Sequence, residues 1–143
     1  MVDDPILSQL LEQCRRDHQA WINGDGAPYE LPEDGTILGA VGGHSHGGAE
    51  TGQRQRAVAG QWRRGAGTIE FLNGGTDGDL AWLVFIERAT VELVADPEGA
   101  ERRWDLRVTE IFRRTGHGWQ RVHRHADPLV DRRGLGKVIG LLQ

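Results

Sequence analysis

The chain has a single cysteine, Cys14, so no disulfide can form within it, and a single lysine, Lys137, among seventeen basic side chains. Cys14 falls at a helical core spacing and reads as a buried, inert thiol rather than a nucleophile. No stretch approaches the ~20 consecutive apolar residues that a membrane-spanning helix needs. The start, Met-Val-Asp-Asp-Pro, lacks the basic n-region and apolar core of a secretory signal. Neither sign of charge dominates: the formal net charge is -4, and acids and arginines alternate along the chain, as in Glu101-Arg102-Arg103. Nucleic acid and anionic membranes are therefore not expected partners. No glycine cluster has the strand–loop–helix setting of a phosphate loop, and the chain calls for no cofactor. These absences leave a soluble, cytoplasmic protein as the expectation, with 143 residues enough for one hydrophobic core.

What is present is organised in two halves. Asp4 before Pro5 is a helix start, because proline at the first helical position gives up no hydrogen bond. Leu7, Leu10, Leu11, Cys14, His18, Trp21 and Ile22 recur at helical spacing, and Asn23-Gly24 stops the run. A short strand fits Thr36 to Val41. The loop Gly42 to Gly48 follows, then a weaker helix over residues 49 to 63 anchored by Ala57, Val58 and Trp62. Beyond Gly65 the period becomes two. Strands are predicted over Thr68–Leu72, Leu80–Val94, Glu101–Arg114 and Trp119–Asp127, separated by turns rich in Gly, Asp and Asn.

Helices followed by a meander of long strands predict an α+β domain. A fifteen-residue strand would extend ~50 Å at ~3.3 Å per residue, too long to stay flat in so small a protein. Twist must curl the sheet. The expected architecture is a curved antiparallel sheet capped by the N-terminal helices, a cone with an internal pocket. The domain is assigned to residues 1–128, with 129–143 as a C-terminal tail.

Polar residues on the apolar strand faces mark the candidate site. Trp104, Leu106, Val108, Glu110 and Phe112 share one face of the third long strand, and Ala81, Leu83, Phe85 and Glu87 share one face of the second. An interior carboxylate has to be hydrogen-bonded, ion-paired, or protonated with a raised pKa. With a four-residue turn at 97–100, Glu87 falls directly opposite Glu110, Cβ atoms ~4.5–5.5 Å apart. Glu110 and Glu87 are thus the catalytic candidates. In the last strand a simple hairpin puts His123 opposite Glu110, whereas one extra residue or a bulge delivers Arg124 there instead. Arg124, Trp21, Tyr29, Phe85, Trp104 and Phe112 are the substrate-binding candidates, with His44 from the glycine-rich loop. His123, His125 and Asp127 form a secondary set. Histidine and carboxylate suit iron, zinc or manganese, but His-x-His is a weak motif and packing at a sheet face explains these residues as well; no metal site is assigned.

Leu106-Arg-Val-Thr-Glu-Ile-Phe-Arg-Arg114, a glycine turn, and Trp119-Gln-Arg-Val-His-Arg-His-Ala-Asp-Pro128 together resemble the SnoaL-like family. This is a branch of the cone-shaped superfamily of ketosteroid isomerase and nuclear transport factor two. Gly78-Asp-Leu-Ala-Trp82 with Ile86-Glu-Arg88, Ala20-Trp21 with Gly24-Asp25, and Gly39-Ala-Val-Gly-Gly43 are similar to its other strands and N-terminal half. The resemblance spans residues 18 to 128. It implies a helix-capped curved sheet, an apolar internal pocket and a homodimer formed through the sheet. It also implies that Val122, Arg124 and Ala126 face the pocket while His123 and His125 face out. The acid that serves as base in the isomerases has no match here. The expected function is binding of a small apolar ligand, with acid–base isomerisation or cyclisation of a polyketide- or steroid-like carbonyl compound by Glu110. The rivals are a non-catalytic association module and a metal-dependent oxidoreductase using His123, His125 and Asp127.

Overall fold

The structure, a computed structural model, describes residues 2–143. Helix α1 spans Pro5–Ile22, where Asp4 Oδ1 accepts from the amides of Ile6 (2.8 Å) and Leu7 (3.3 Å). This N-cap satisfies donors the first turn would otherwise leave free. Its apolar stripe, with His18 and Trp21 toward the C-terminal end, is buried against the sheet. A 3₁₀ turn at Ala27–Tyr29 carries the chain to β1 (Thr36–Leu38) and β2 (Ser45–His46). Helix α2 (Gly48–Ala59) stops four residues short of the expected end, because Trp62 opens a strand rather than closing a helix.

Four long strands follow: β3 (Trp62–Asp77), β4 (Leu80–Leu93), β6 (Leu106–Thr115) and β7 (Gly118–Pro128), with the short β5 (Arg102–Arg103) pairing to β4. The sheet order is β2-β1-β7-β6-β4-β3. Every pairing is antiparallel except that of β1 with β7, so the curved sheet is mixed. The expected α+β cone is present, and the parallel pair is its one departure from a meander.

Strand β3 begins six residues earlier than the period-two pattern predicted. It opens with Trp-Arg-Arg-Gly-Ala-Gly, whose first two residues the helical reading of 49 to 63 claims. The glycine at 67 has a packing reason: a Cβ there would lie 2.4 Å from His18 Nε2 and 2.8 Å from the Arg88 carbonyl oxygen. Helix α1 sits that close to the sheet.

Two apolar clusters fill the interior. One joins Leu7, Leu10 and Leu11 of α1 to Leu83, Phe85, Val108 and Phe112. The other is aromatic, built on Trp21, Tyr29 and Trp62, and Trp104 packs against both. Burying a large aliphatic or aromatic side chain contributes ~1.5–3 kcal/mol, so these clusters supply the main driving force. Between them lies a layer of charge.

Candidate functional site

Glu110, on β6, and Glu87, on β4, are 0% and 1% exposed. They are not cross-strand partners. Glu110 pairs with Leu83, and Glu87 pairs with Leu106. The expected turn at 97–100 is the error: the strand breaks at Trp104-Asp105, where Trp104 donates to the Ala89 carbonyl (2.9 Å) and Asp105 accepts from the Ala89 amide (3.2 Å). Direct opposition would have set the two Cβ atoms ~5 Å apart; the actual register offsets the two residues by four positions along the sheet, and only their side chains converge. Their Cβ atoms still face the same interior, and a third side chain bridges them.

That side chain is Arg124. Between the pairs Ile111–His123 and Phe112–Arg121 the register slips by one, leaving Val122 as an extra residue in β7. Alternation alone would send Arg121 and Arg124 to opposite faces. The bulge turns both inward, where each is 4% exposed. Arg124 donates from Nη1 to Glu87 (2.9 Å) and Glu110 (2.8 Å), and from Nη2 to Glu87 (2.8 Å). Arg121 Nε lies 3.0 Å from Glu110 as an ion contact, while Nη2 pairs with Asp17 (3.0 Å) and Nη1 donates to the Pro28 carbonyl (3.2 Å). Both guanidinium groups stack over Tyr29, Arg124 at 4.7 Å and Arg121 at 4.9 Å from the ring centre, and Arg121 also covers Phe112 at 5.1 Å. Cys14 donates its thiol to Glu110 (3.2 Å).

The electrostatics follow from these contacts. Burial alone would raise the Glu110 carboxyl, but Arg121 and Arg124 outweigh it and hold the group below the usual carboxylate range. Burial pushes His18 down despite Glu87, whose oxygen lies 3.6 Å from its Nδ1, so the imidazole is neutral near pH 7. Burial raises Asp17 against the pull of Arg121, and raises the Cys14 thiol well above its ordinary value. Glu110 is therefore bonded on both oxygens, the ion-paired case among the three open to an interior carboxylate. Sequence reasoning missed Arg121, which alternation from an inward Arg124 sends outward with Trp119, His123 and His125. The usable signal was charge balance: two interior carboxylates ask for two cations.

The remaining candidates divide cleanly. Trp21, Tyr29, Phe85, Trp104 and Phe112 all face the interior. His44 is exposed in the loop between β1 and β2, outside the buried layer, and borders the larger of two crevices at the cone's mouth. His123 and His125 point to the outer face, as the family resemblance implied. His123 is held by the Thr36 hydroxyl (2.7 Å), whereas His125 is exposed beside Asp127, which pairs with Arg107 (2.7 Å). Among the described residues, no group of three or more His, Cys, Asp or Glu is placed to hold a metal ion.

The cone opens on a pair of adjoining crevices. At its mouth a crevice of about 30 Å³ is walled by Trp21, Trp104, Leu106, Arg124 and Ala126, and it adjoins one of about 160 Å³ that runs between the glycine loop and α2. Gly39, Val41, Gln55 and Val58 border both. Trp21, Trp62 and Trp104 pack with ring centres 5.4–6.3 Å apart, and none of their buried indole N–H groups has a hydrogen-bond partner among the described residues.

No protein-family model matches the chain, and no curated protein does. Solved structures do. A ketosteroid isomerase-like protein from Erwinia carotovora atroseptica superposes with a TM-score of 0.71 at 15% identity, over 91% of this chain and 100% of that one. A nuclear transport factor 2 superfamily protein from Salmonella enterica gives 0.69 at 14% identity, over 92% and 98%. A candidate calcium/calmodulin-dependent protein kinase II association domain from Xanthomonas campestris gives 0.62 at 15% identity, over 88% and 87%. The chain has the α+β cone fold of the nuclear transport factor 2-like and ketosteroid isomerase-like proteins. Among the described residues, no helix is long and apolar enough to cross a membrane.

Proposed function

We propose that the protein binds a small, neutral, carbonyl-bearing apolar molecule at the mouth of the cone. The observation that carries this reading is the set of unpartnered donors there. A buried N–H without an acceptor costs ~1–3 kcal/mol, and the indoles of Trp21 and Trp104 both border the crevice in that condition. Arg124 borders it too, with three of its N–H groups given to carboxylates. An acceptor that reached these indoles would relieve that cost. Gln55, at the rim, offers a donor and an acceptor alike.

Charge selects among acceptors. Arg121 and Arg124 are already shared among Glu87, Glu110 and Asp17, so an incoming carboxylate would find no uncompensated cation. An amine would face donors. A ketone, ester or lactone oxygen suits the wall, and Trp21, Leu106 and Ala126 suit an apolar body. Acid–base turnover by Glu110 is not favoured, because both its oxygens are engaged and its charge is compensated. The ion-paired layer serves as a rigid floor under the ligand.

The test is a thermal-shift series using a small ring ketone, the ring carboxylate and the ring amine, on the wild type and Trp104→Phe. A ligand at a hundred times its Kd adds ~2.7 kcal/mol, several degrees in a domain of this size. The ketone should raise the Tm of the wild type, and the indole-less variant should lose most of that rise. Equal shifts from the carboxylate or amine, or none from any carbonyl compound, would end the proposal.

A further inference from the structure

Residues 129–143 join neither apolar cluster, and none of their side chains is buried. Leu129 donates its amide to the Asp105 carbonyl (2.9 Å), and the chain then leaves the sheet. Helix α3 follows at Leu135–Gly140. It is far below the ~12–15 residues at which an isolated helix becomes even marginal in water, so it needs something to pack on. The sheet does not supply it directly. A hollow of about 590 Å³ lies between the helix, the end of β7 at Pro128 and Arg107 of β6.

The lining of that hollow is of two kinds. Pro128, Val130, Val138 and Leu141 are its apolar part, and the last three are 46%, 42% and 68% exposed. Val138 and Leu141, three residues apart, share a face of the helical turn. Arg107, Arg132, Arg133 and Asp131 are the charged part. Arg107 is committed to Asp127 (2.7 Å), whereas among the described residues Arg132 and Arg133 enter no ion pair. Three guanidinium groups thus stand against two carboxylates, Asp127 and Asp131, a surplus of one positive charge. The cone mouth differs, because its arginine is already shared between carboxylates.

We propose that this hollow is a second ligand site, for a single-chain amphiphile with an anionic head, such as a fatty carboxylate. Its chain lies among Pro128, Val130, Val138 and Leu141, and its head meets Arg132 and Arg133. Each part of the lining selects one part of the molecule. The apolar side chains gain only if something apolar fills the space between them, since their alternative is water. A guanidinium fork binds a carboxylate through paired hydrogen bonds. One anionic head balances the one surplus charge, whereas a cationic head would meet the arginines. The volume falls within the ~300–1,000 Å³ of small-molecule pockets. A bound chain also gives α3 the packing surface it needs. This site is independent of whatever binds at the cone mouth, for the two share no lining residue.

The experiment is titration calorimetry of the full chain with sodium decanoate below its micelle concentration, beside decyltrimethylammonium as the cationic counterpart. Decanoate should bind one to one, and dodecanoate, two methylenes longer, roughly tenfold more tightly. Arg132→Ala/Arg133→Ala should weaken decanoate about tenfold, and Val138→Asp should abolish its binding. These side chains are exposed, so the ligand-free variants should melt with the wild type. The double alanine variant should also keep any response to a ring ketone at the cone mouth. Amide hydrogen exchange locates the site: decanoate should slow exchange at residues 135–142 and leave the glycine loop and α2 unchanged. Equal binding of the cationic amphiphile, wild-type affinity in the double alanine variant, or protection at the glycine loop instead would each overturn the proposal. So would a chain that ignores free decanoate yet cosediments with phosphatidylserine vesicles, which would mark a membrane surface instead.

Discussion

The molecule uses the arginine–carboxylate pair in two settings. On the surface, Arg113 meets Asp34 through two hydrogen bonds, 2.7 and 3.0 Å, with side chains 39% and 62% exposed. Inside, Arg124 meets Glu87 in the same forked geometry at 2.8 and 2.9 Å, with side chains 5% and 1% exposed. The distances hardly differ. Water does. A solvated pair exchanges one set of good hydrogen bonds for another, so its net worth is small. A buried pair adds little over an apolar packing of the same shape, but losing one partner strands the other where nothing can solvate it. The contrast teaches that the interior layer is held by the penalty for breaking it rather than by the strength of its bonds.

The sharpest way to break the comparison is Arg124→Leu. Glu87 then loses its guanidinium, Glu110 keeps only Arg121, and removal of one partner from a buried pair costs ~3–5 kcal/mol. At ~2–4 °C per kcal/mol, thermal unfolding should fall by roughly 10 °C. A loss under ~1 kcal/mol would show that water reaches the layer.

A smaller effect should come from pH. The fold holds His18 neutral, while the unfolded chain takes up a proton near the ordinary imidazole pKa of ~6.5. The stability this group allows is therefore complete above that pH and declines as pH falls below it. Glu110, depressed in the fold, adds a second decline below the ordinary carboxylate value of ~4.3, and Asp17, raised, partly opposes it. Denaturant unfolding between pH 7 and pH 5 should show the first slope, and His18→Asn should flatten it. An unchanged slope would assign the proton to another group.

The least effect is expected from Arg113→Ala on the surface. Its melting temperature should match the wild type within error, and a drop comparable to that of Arg124→Leu would erase the distinction between the two settings.

How far the sequence carried the reading depended on whether neighbours in the chain decided the outcome. Helix α1 was legible from Asp4-Pro5 to Asn23-Gly24 because caps and period are local. Strand β4 was legible as Leu80–Val94 against the observed Leu80–Leu93 for the same reason. The start of β3 was hidden because Gly67 is explained by His18, some fifty residues away. That Glu87 and Glu110 face one interior followed from alternation. Their spacing did not, since it depends on how Trp104 and Asp105 bond back to Ala89. The choice between His123 and Arg124 was posed correctly but left open, because a bulge is a property of two strands together. Arg121 fell to the same cause.

The bulge at Val122 has a consequence for how this chain can tolerate change. Pairing on either side runs Phe112 to Arg121 and Ile111 to His123, so the residue between them fills no rung. Removing it would leave the order inward, outward, inward for Arg121, His123 and Arg124, an ordinary strand with both guanidinium groups where they stand now. Keeping it while smoothing the strand would turn one of them out. Here the loss of a whole codon is the mild mutation, and straightening the backbone without that loss is the severe one.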